Sequence, residues 1–589
     1  MNQPDIAPDL PRASSPGASL LADLNPQQRE AAMALVGPVC ILAGPGTGKT
    51  HTITRRIAYG VQTGAYAPDR VLALTFTTRA AGQLRGRLQQ LGIEGVQART
   101  FHAAALRQLG YFWPQVIGDS MPNIVSAKSA IVAEAGERIG SRIQPAQVRA
   151  IAEEIEWRKI SELDFETYEQ ALRSGERHIP TGLSLAQTSA LVQAYERVKD
   201  ERRQLDFEDI LLATAGMIEV EPWIAGQIRE QYRFFVVDEY QDISPLQHKL
   251  LRLWMGKRRE LCVVGDPAQT IYSFAGARAS FLTDFQREFP EAREIAITGS
   301  YRSSLPIIAA ANALATQIPH ALQLERQGDQ ATNHAPRPTY TEFSRDIDEA
   351  ADIASRIREA IGNGERPSTI AVLVRTNAQT AVIEQELQRL GVPFRVPTGK
   401  PFFQRPEVRQ IIAGLHAAVV AGQDHGPLFQ RVSDVLRSRG WTQEPPKEQG
   451  PVREAWNAMD AIMRLADDQP AGTTLAQFAR DMQRRAQQQH EPQIEAVTLS
   501  TMHAAKGLEW DRVFVAGLSE GRMPVVQADS ETLIGEERRL LYVAVTRARA
   551  HLRCSSARQS GAPSRFLPEF GNRIRHETPT ATNRADPAE

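Results

Sequence analysis

Cysteine is scarce in this chain: Cys40, Cys262 and Cys554 are the only three in 589 residues, far apart and set in apolar or strand-like surroundings. That spacing excludes a disulfide framework and a cysteine-based metal site, and it reads as reduced packing thiols in a cytosolic protein. Long apolar runs are absent too, since no stretch approaches the roughly 20 residues that span a bilayer. Charge of one sign is missing: 68 Lys+Arg balance 69 Asp+Glu for a net charge of −1. Any polyanion site must therefore come from local clusters of charge rather than from the whole molecule. The first 19 residues hold Pro, Ser, Gly and Ala but no apolar core, so they are not a signal peptide and are expected to form a disordered leader. What is present is 42% hydrophobic residues, ordinary for a globular protein, over a length that implies two to four domains.

The rest is organised around residues 39–50, Val-Cys-Ile-Leu-Ala-Gly-Pro-Gly-Thr-Gly-Lys-Thr. A short apolar strand opens into a glycine-rich turn, and residues 50–59 then read as helix. Gly44, Gly46 and Gly48, with Ala43, Pro45 and Thr47 between and beside them, leave backbone N–H groups free to wrap phosphate oxygens. Lys49 is placed to reach the β- and γ-phosphates and Thr50 to ligate Mg²⁺ at a helix N-terminus. The strict motif begins with glycine where this chain has Ala43, so the match is to the relaxed form.

Upstream, Asn25 and Pro26 read as N-cap and first turn of a helix carrying Gln28. Residues 71–78 form a buried strand ending in Phe76, and a second short segment ends in Thr100-Phe101-His102. Phe76 and His102, at strand ends beside the P-loop strand, could face a base or a phosphate, and could equally be core or turn packing. Residues 103–200 read as an inserted helical subdomain. Phe234-Phe235-Val236-Val237 then delivers Asp238 and Glu239 to a strand end, which suits a Mg²⁺ ligand and a general base for an attacking water. A third strand, 261–266, leads to Gln269, a candidate γ-phosphate sensor, and to Tyr272 and Phe274, candidates for base stacking. Further strand-type segments at 294–297, 369–374 and 496–499 imply a second α/β lobe.

In this order the motifs resemble UvrD/Rep-type helicases of superfamily 1, which move 3′-to-5′ along single-stranded DNA. The resemblance runs from about residue 24 to 567. It rests on the Q-motif at 24–28, the P-loop, Thr75-Phe76-Thr77, Thr100-Phe101-His102, Val237-Asp238-Glu239-Tyr240-Gln241-Asp242, Val264-Gly265-Asp266-Pro267-Ala268-Gln269, Tyr301-Arg302-Ser303, Thr501-Met502-His503-Ala504-Ala505-Lys506-Gly507-Leu508-Glu509 and the stretch 536–548 ending in Arg547-Ala548. It implies two tandem RecA-like P-loop domains, each with an inserted mainly helical subdomain. The first would comprise 21–106 and 201–290 with insert 107–200; the second, 291–405 and 491–567 with a shortened insert 406–490; 568–589 would be a disordered tail. It further implies ATP and Mg²⁺ as cofactors and single-stranded DNA and its junctions with duplex as partners, in a bacterial cytosol with no membrane contact. Gln28 would read adenine and Tyr301 stack on it; Arg302 and Arg547 would be arginine fingers; Glu509 would contact the ribose. Phe76, Tyr272 and Phe274 would stack on bases, and Thr100, His102, Thr501 and His503 would touch the DNA backbone.

Departures from the family pattern are Ser273 and Ala275 where arginines are common, Ser300 for Asn, Thr78-Arg79 for Asn-Lys, and His51 for Arg. The sequence stops soon after Arg565-Phe566-Leu567, and the resemblance leads to the expectation that the carboxyl-terminal module of some relatives does not follow. The expected activity is a DNA helicase acting in repair or replication. The alternatives are a DNA-dependent translocase that displaces proteins but unwinds weakly, and a non-catalytic nucleic-acid scaffold.

Overall fold

A computed structural model describes residues 17–579 except 126, 329–334, 398–401, 423–425, 447–450, 471, 489–491 and 493. Most of the leader and the last ten residues lie outside them. The chain forms two compact units: the chain up to Ala43 with Lys49–Ile297, and Gly44–Gly48 with the chain from Thr298.

The first unit is built on a parallel sheet of β1 (Val39–Ala43), β2 (Val71–Thr75), β3 (Gln97–Thr100), β4 (Phe234–Val237), β5 (Leu261–Gly265) and β6 (Arg293–Ile297), in the order β3-β2-β4-β5-β1-β6. Its inner strands β1, β2, β4 and β5 are almost wholly apolar runs because both faces are covered, while the edge strands β3 and β6 carry Gln97, Arg99, Arg293 and Glu294. Val39, Ile41, Ala73, Val236 and Val264 enter one core, while Cys40, Leu72, Leu74, Phe235, Val237 and Val263 enter the other. Burial pushes the thiols of Cys40 and Cys262 upward and leaves them protonated. The strand at 293–297, assigned from sequence to the second lobe, pairs instead with β1, Val39 opposite Arg293 through Ala43 opposite Ile297. Its pattern marks it as a strand, but nothing local names the sheet it joins.

Helix Phe101–Ile117 packs Phe101, Leu109 and Phe112 into the sheet's core and runs past residue 107, so the expected insert boundary falls within a helix. Helices Lys128–Arg138, Pro145–Ile160, Phe165–Ser174 and Leu185–Glu201 share a separate core around Ile151, Ile155, Leu191 and Tyr195. A buried charge cluster fastens this core to the helix Phe207–Val220. Lys159 Nζ donates to Asp206 Oδ2 at 2.6 Å and Asp209 Oδ1 at 2.7 Å, Tyr195 donates to Asp206 at 2.9 Å, and Lys199 binds Glu196 and Asp209. Asp206 is also that helix's N-cap.

In the second unit the strands are β7 (Thr339–Phe343), β8 (Ile370–Val374), β9 (Phe394–Arg395), β10 (Val497–Thr501), β11 (Trp510–Val515), β12 (Ala548–Ala557) and β13 (Arg575–Glu577), all parallel, in the order β9-β10-β8-β11-β12-β7-β13. The edge strand β13 corrects the disordered tail expected from residue 568: Thr339–Thr341 of β7 pairs with it, so the order extends at least to Glu577. Helices Pro406–Val420, Leu428–Arg437, Pro451–Asp467 and Leu475–Gln488 surround their own core of Ile411, Leu415, Ile462, Phe478 and Met482. Among the described residues no helix is long and apolar enough to cross a membrane.

Burial alone would raise the Asp206 carboxyl, but Lys159 and Lys199 outweigh it and hold the group far below the usual carboxylate range. Its contribution to stability is therefore full above the ordinary carboxylate pKa and is lost as pH falls through and below it. Replacing Lys159 by Met removes the nearer ammonium from that buried carboxylate, leaving it Tyr195 and the more distant Lys199, and chemical denaturation at pH 7 is expected to show a loss of about 3–5 kcal/mol. A loss under about 1 kcal/mol would contradict the fastening role.

Candidate nucleotide and DNA site

The phosphate-binding turn follows β1. Helix Lys49–Gln62 begins at Lys49, and the Lys49 ammonium folds back to donate to Ala43 O at 3.0 Å, across the neck of the loop. Within the loop the Thr47 hydroxyl donates to Gly44 O at 2.8 Å. Gly46 adopts φ +75°, and a Cβ there would sit 2.6 Å from both Arg302 Cβ and Ser300 Oγ. Residues 300–302 are pinned to the loop: Ser300 Oγ donates to Pro45 O at 3.1 Å and Tyr301 N–H to Gly46 O at 2.9 Å. A side chain would fill this turn, so the glycines keep it open as a cradle for phosphate oxygens. Thr50 stands in the first turn of the helix, where a hydroxyl suits a hard cation.

In the first unit, β4 ends in Asp238, whose Oδ1 accepts the Glu239 N–H at 3.0 Å. Glu239 takes the left-handed conformation, φ 52°, and turns the chain sharply. At the end of β5 the buried Asp266 accepts the Gln269 amide at 2.7 Å. Burial raises the Asp266 carboxyl, while Lys49, Gln269 and the Ala268 N–H draw it partly back. Lys49 and Glu239 are thus its electrostatic neighbours, and one strand edge carries the lysine, the acidic pair and the glutamine.

The candidate base-stacking residues form a ladder on the same unit. Phe76 stacks on Tyr272 with ring centroids 5.4 Å apart at 14°, and Tyr272 meets Phe274 edge-on at 6.1 Å. Phe76 is 45% and Phe274 58% exposed. The Tyr272 hydroxyl is pushed up to about 12 by burial and then by the carboxylates of Asp242 and Glu239. The ladder therefore adjoins the acidic strand end.

Other candidate residues make contacts within the fold. Gln28 is buried, and its side-chain oxygen accepts the Asn25 N–H at 3.1 Å in a capping box. Thr100 caps helix Phe101–Ile117, accepting the Ala103 N–H at 3.2 Å. His102 stacks on Phe207 with centroids 3.8 Å apart, its Nε2 sheltered and without a partner among the described residues. Burial lowers that imidazole to about 4, so it is neutral at pH 7. Phe207, which follows the N-cap Asp206, is itself 54% exposed.

In the second unit Arg302 ion-pairs with Glu509 and donates through Nη1 to Thr546 O at 3.2 Å. Glu509 is held by Arg549 as well; burial would raise it, but these guanidiniums keep it below its ordinary range. Its carboxylate anchors both arginines here. Arg547 is 1% exposed, donating to Val543 O at 2.9 Å, Leu508 O at 3.2 Å and Thr546 Oγ1 at 3.0 Å. Its guanidinium is turned inward. Thr501 accepts the Ala504 N–H at 3.3 Å, and His503 is lowered to about 4 by burial and then by Arg375.

A phosphate cradle at the carboxyl edge of one parallel sheet, joined in sequence to a second parallel sheet, defines the tandem RecA-like class. The chain belongs to the UvrD/Rep helicase family: residues 24–290 match its UvrD/REP helicase N-terminal domain, and residues 295–432 and 441–559 its UvrD-like helicase C-terminal domain. It is 42% identical over 594 residues to the ATP-dependent DNA helicase UvrD2 of Mycobacterium tuberculosis, covering 96% of this chain and 84% of the relative. Mycobacterium tuberculosis UvrD1 is 30% identical over 95% of this chain and 86% of its own. Staphylococcus epidermidis PcrA is 26% identical over 94% and 87%.

A lowered His102 favours the folded state above the unfolded histidine pKa of about 6.5 and loses that contribution as pH falls toward 4. Imidazole NMR of the folded protein is expected to give a His102 midpoint near 4; a midpoint near about 6.5 would contradict the burial described.

Proposed function

We propose that this protein is an ATP-dependent DNA helicase that moves 3′-to-5′ on single-stranded DNA and separates duplex ahead of it, working on nucleoid DNA in repair or replication. The observation that carries the reading is Tyr272, a member of the exposed aromatic ladder whose hydroxyl feels Glu239. A base stacked on that ladder changes the surroundings of the group that activates water, which is what coupling DNA to hydrolysis requires.

In this reading the loop amides and Lys49 bind the β- and γ-phosphates. Thr50 and Asp238 would hold Mg²⁺, which neutralises phosphate charge when bound. Glu239 takes a proton from the attacking water, and Gln269 reports the γ-phosphate to the segment bearing Tyr272 and Phe274. Arg302, beside Gly46, supplies cationic charge to the transferring phosphoryl group. Arg547 can do so only after its guanidinium leaves the carbonyls of Val543 and Leu508. Gln28 and Tyr301 would hold the adenine. Thr100, His102, Thr501 and His503 would meet the DNA backbone, His102 and His503 through neutral hydrogen bonds.

A second reading, a translocase that strips proteins but unwinds weakly, draws on the shortened insert 406–490; Ser273 and Ala275 in the turn Ser273–Ala275 bear instead on the strength of single-strand contact. Strand displacement from 3′- and 5′-tailed duplexes, run beside streptavidin displacement, separates the two; the helicase reading expects opening of the 3′-tailed duplex only. Lys49→Ala is expected to abolish both activities, and Glu239→Gln to bind ATP and DNA with turnover reduced about 10²–10⁴-fold. Full turnover by Lys49→Ala would overturn the proposal.

A further inference from the structure

We infer that Gln241 is a positioning residue for Glu239: its side-chain amide clamps the carboxylate that faces the attacking water and ties it to the end of β5. The inference deepens the reading above and rests on Glu239 acting as the base in ATP hydrolysis.

Gln241 is fully buried in the short helical turn Tyr240–Asp242 that follows Glu239. Its Oε1 accepts the backbone N–H of Asp266 at 3.1 Å. A backbone N–H can only donate, so it fixes which end of the amide carries oxygen. The amino group is thereby aimed the other way, where it donates to Glu239 Oε2 at 2.6 Å and more distantly to Asp242 Oδ2 at 3.4 Å. The orientation is set by the protein backbone, not by a choice between equivalent amide ends.

Two further features require this placement. Glu239 has a positive φ, uncommon for a residue with a side chain and in need of surrounding restraint. Gly265, at the last position of β5, approaches so closely that a Cβ there would lie 2.5 Å from Gln241 Oε1 and 2.7 Å from Leu282 Cδ2. The glycine makes room for the glutamine. Beyond the amide, Asp266 accepts from Gln269, so Glu239, Gln241, Asp266 and Gln269 form one chain of hydrogen bonds joining the ends of β4 and β5. The chain thus joins Gln269 to the carboxylate that Gln241 clamps.

The test is steady-state ATP turnover of the full chain with saturating oligo-dT. Gln241→Glu keeps the size and the acceptor for Asp266 but replaces the donor to Glu239 with a second carboxylate. It is expected to lower kcat about 10- to 100-fold while KM for ATP moves less than about threefold. In a Glu239→Gln background the same change is expected to lower kcat less than about twofold, because the group it positions is gone; a merely structural residue would cost as much in either background. Should Gln241→Glu fold poorly, the exchanged pair Glu239→Gln/Gln241→Glu restores an amide–carboxylate hydrogen bond, and its melting temperature is expected to return toward wild type; no recovery would overturn the inference. Wild-type turnover with an unimpaired Gln241→Glu protein overturns the clamp alone. A wild type without turnover overturns the hydrolysis reading and the clamp with it.

Discussion

The inner strands of a parallel sheet buried on both faces have little room for polar side chains, and that restriction arranges the strand ends of the first unit. Residues of β1, β2, β4 and β5 alternate between two apolar cores, so hydroxyl, carboxylate and amide groups collect where the strands end. Asp238 and Glu239 follow β4, Asp266 and Gln269 follow β5, Phe76 follows β2, and the phosphate loop follows β1. Asp238, Glu239, Asp266, Gln269 and Phe76 therefore share the ends of the inner strands.

Several sets of buried charges are satisfied by their own members, and each such set locates something. The Lys159 and Lys199 ammoniums answer Asp206, Asp209 and Glu196, seating the helical insert on a helix of the first core. In the second unit Glu509 holds Arg302 and Arg549, and Arg553 joins Asp352 and Glu577 across neighbouring elements. Removing one partner from such a set leaves a charge in poor surroundings, so these groups fix geometry more than they add net stability.

The P-loop, the acidic strand end and the aromatic segment were legible because each is a local pattern whose chemistry needs only neighbours in sequence. Asn25 as N-cap and Pro26 at the helix start were legible for the same reason. Long-range partnership was not. Nothing in Arg293–Ile297 says that it lies beside β1, and nothing in Arg575–Glu577 says that it closes an edge of the second sheet. The environment of a side chain was equally hidden: Gln28 caps its own helix, Glu509 binds two arginines, Arg547 turns inward, and His102 lies against Phe207. Gln241 stood inside a motif that was read for its two acids, and only the register of β4 against β5 shows what its amide touches.

The account stands on phosphate chemistry and base stacking sharing one strand edge. Phosphate release from MgATP by the wild-type chain, followed as single-stranded oligonucleotide is added, tests this most directly. The account predicts slow basal release that rises many-fold and saturates with the strand. Release that is absent, or that ignores the oligonucleotide at every concentration, would contradict it.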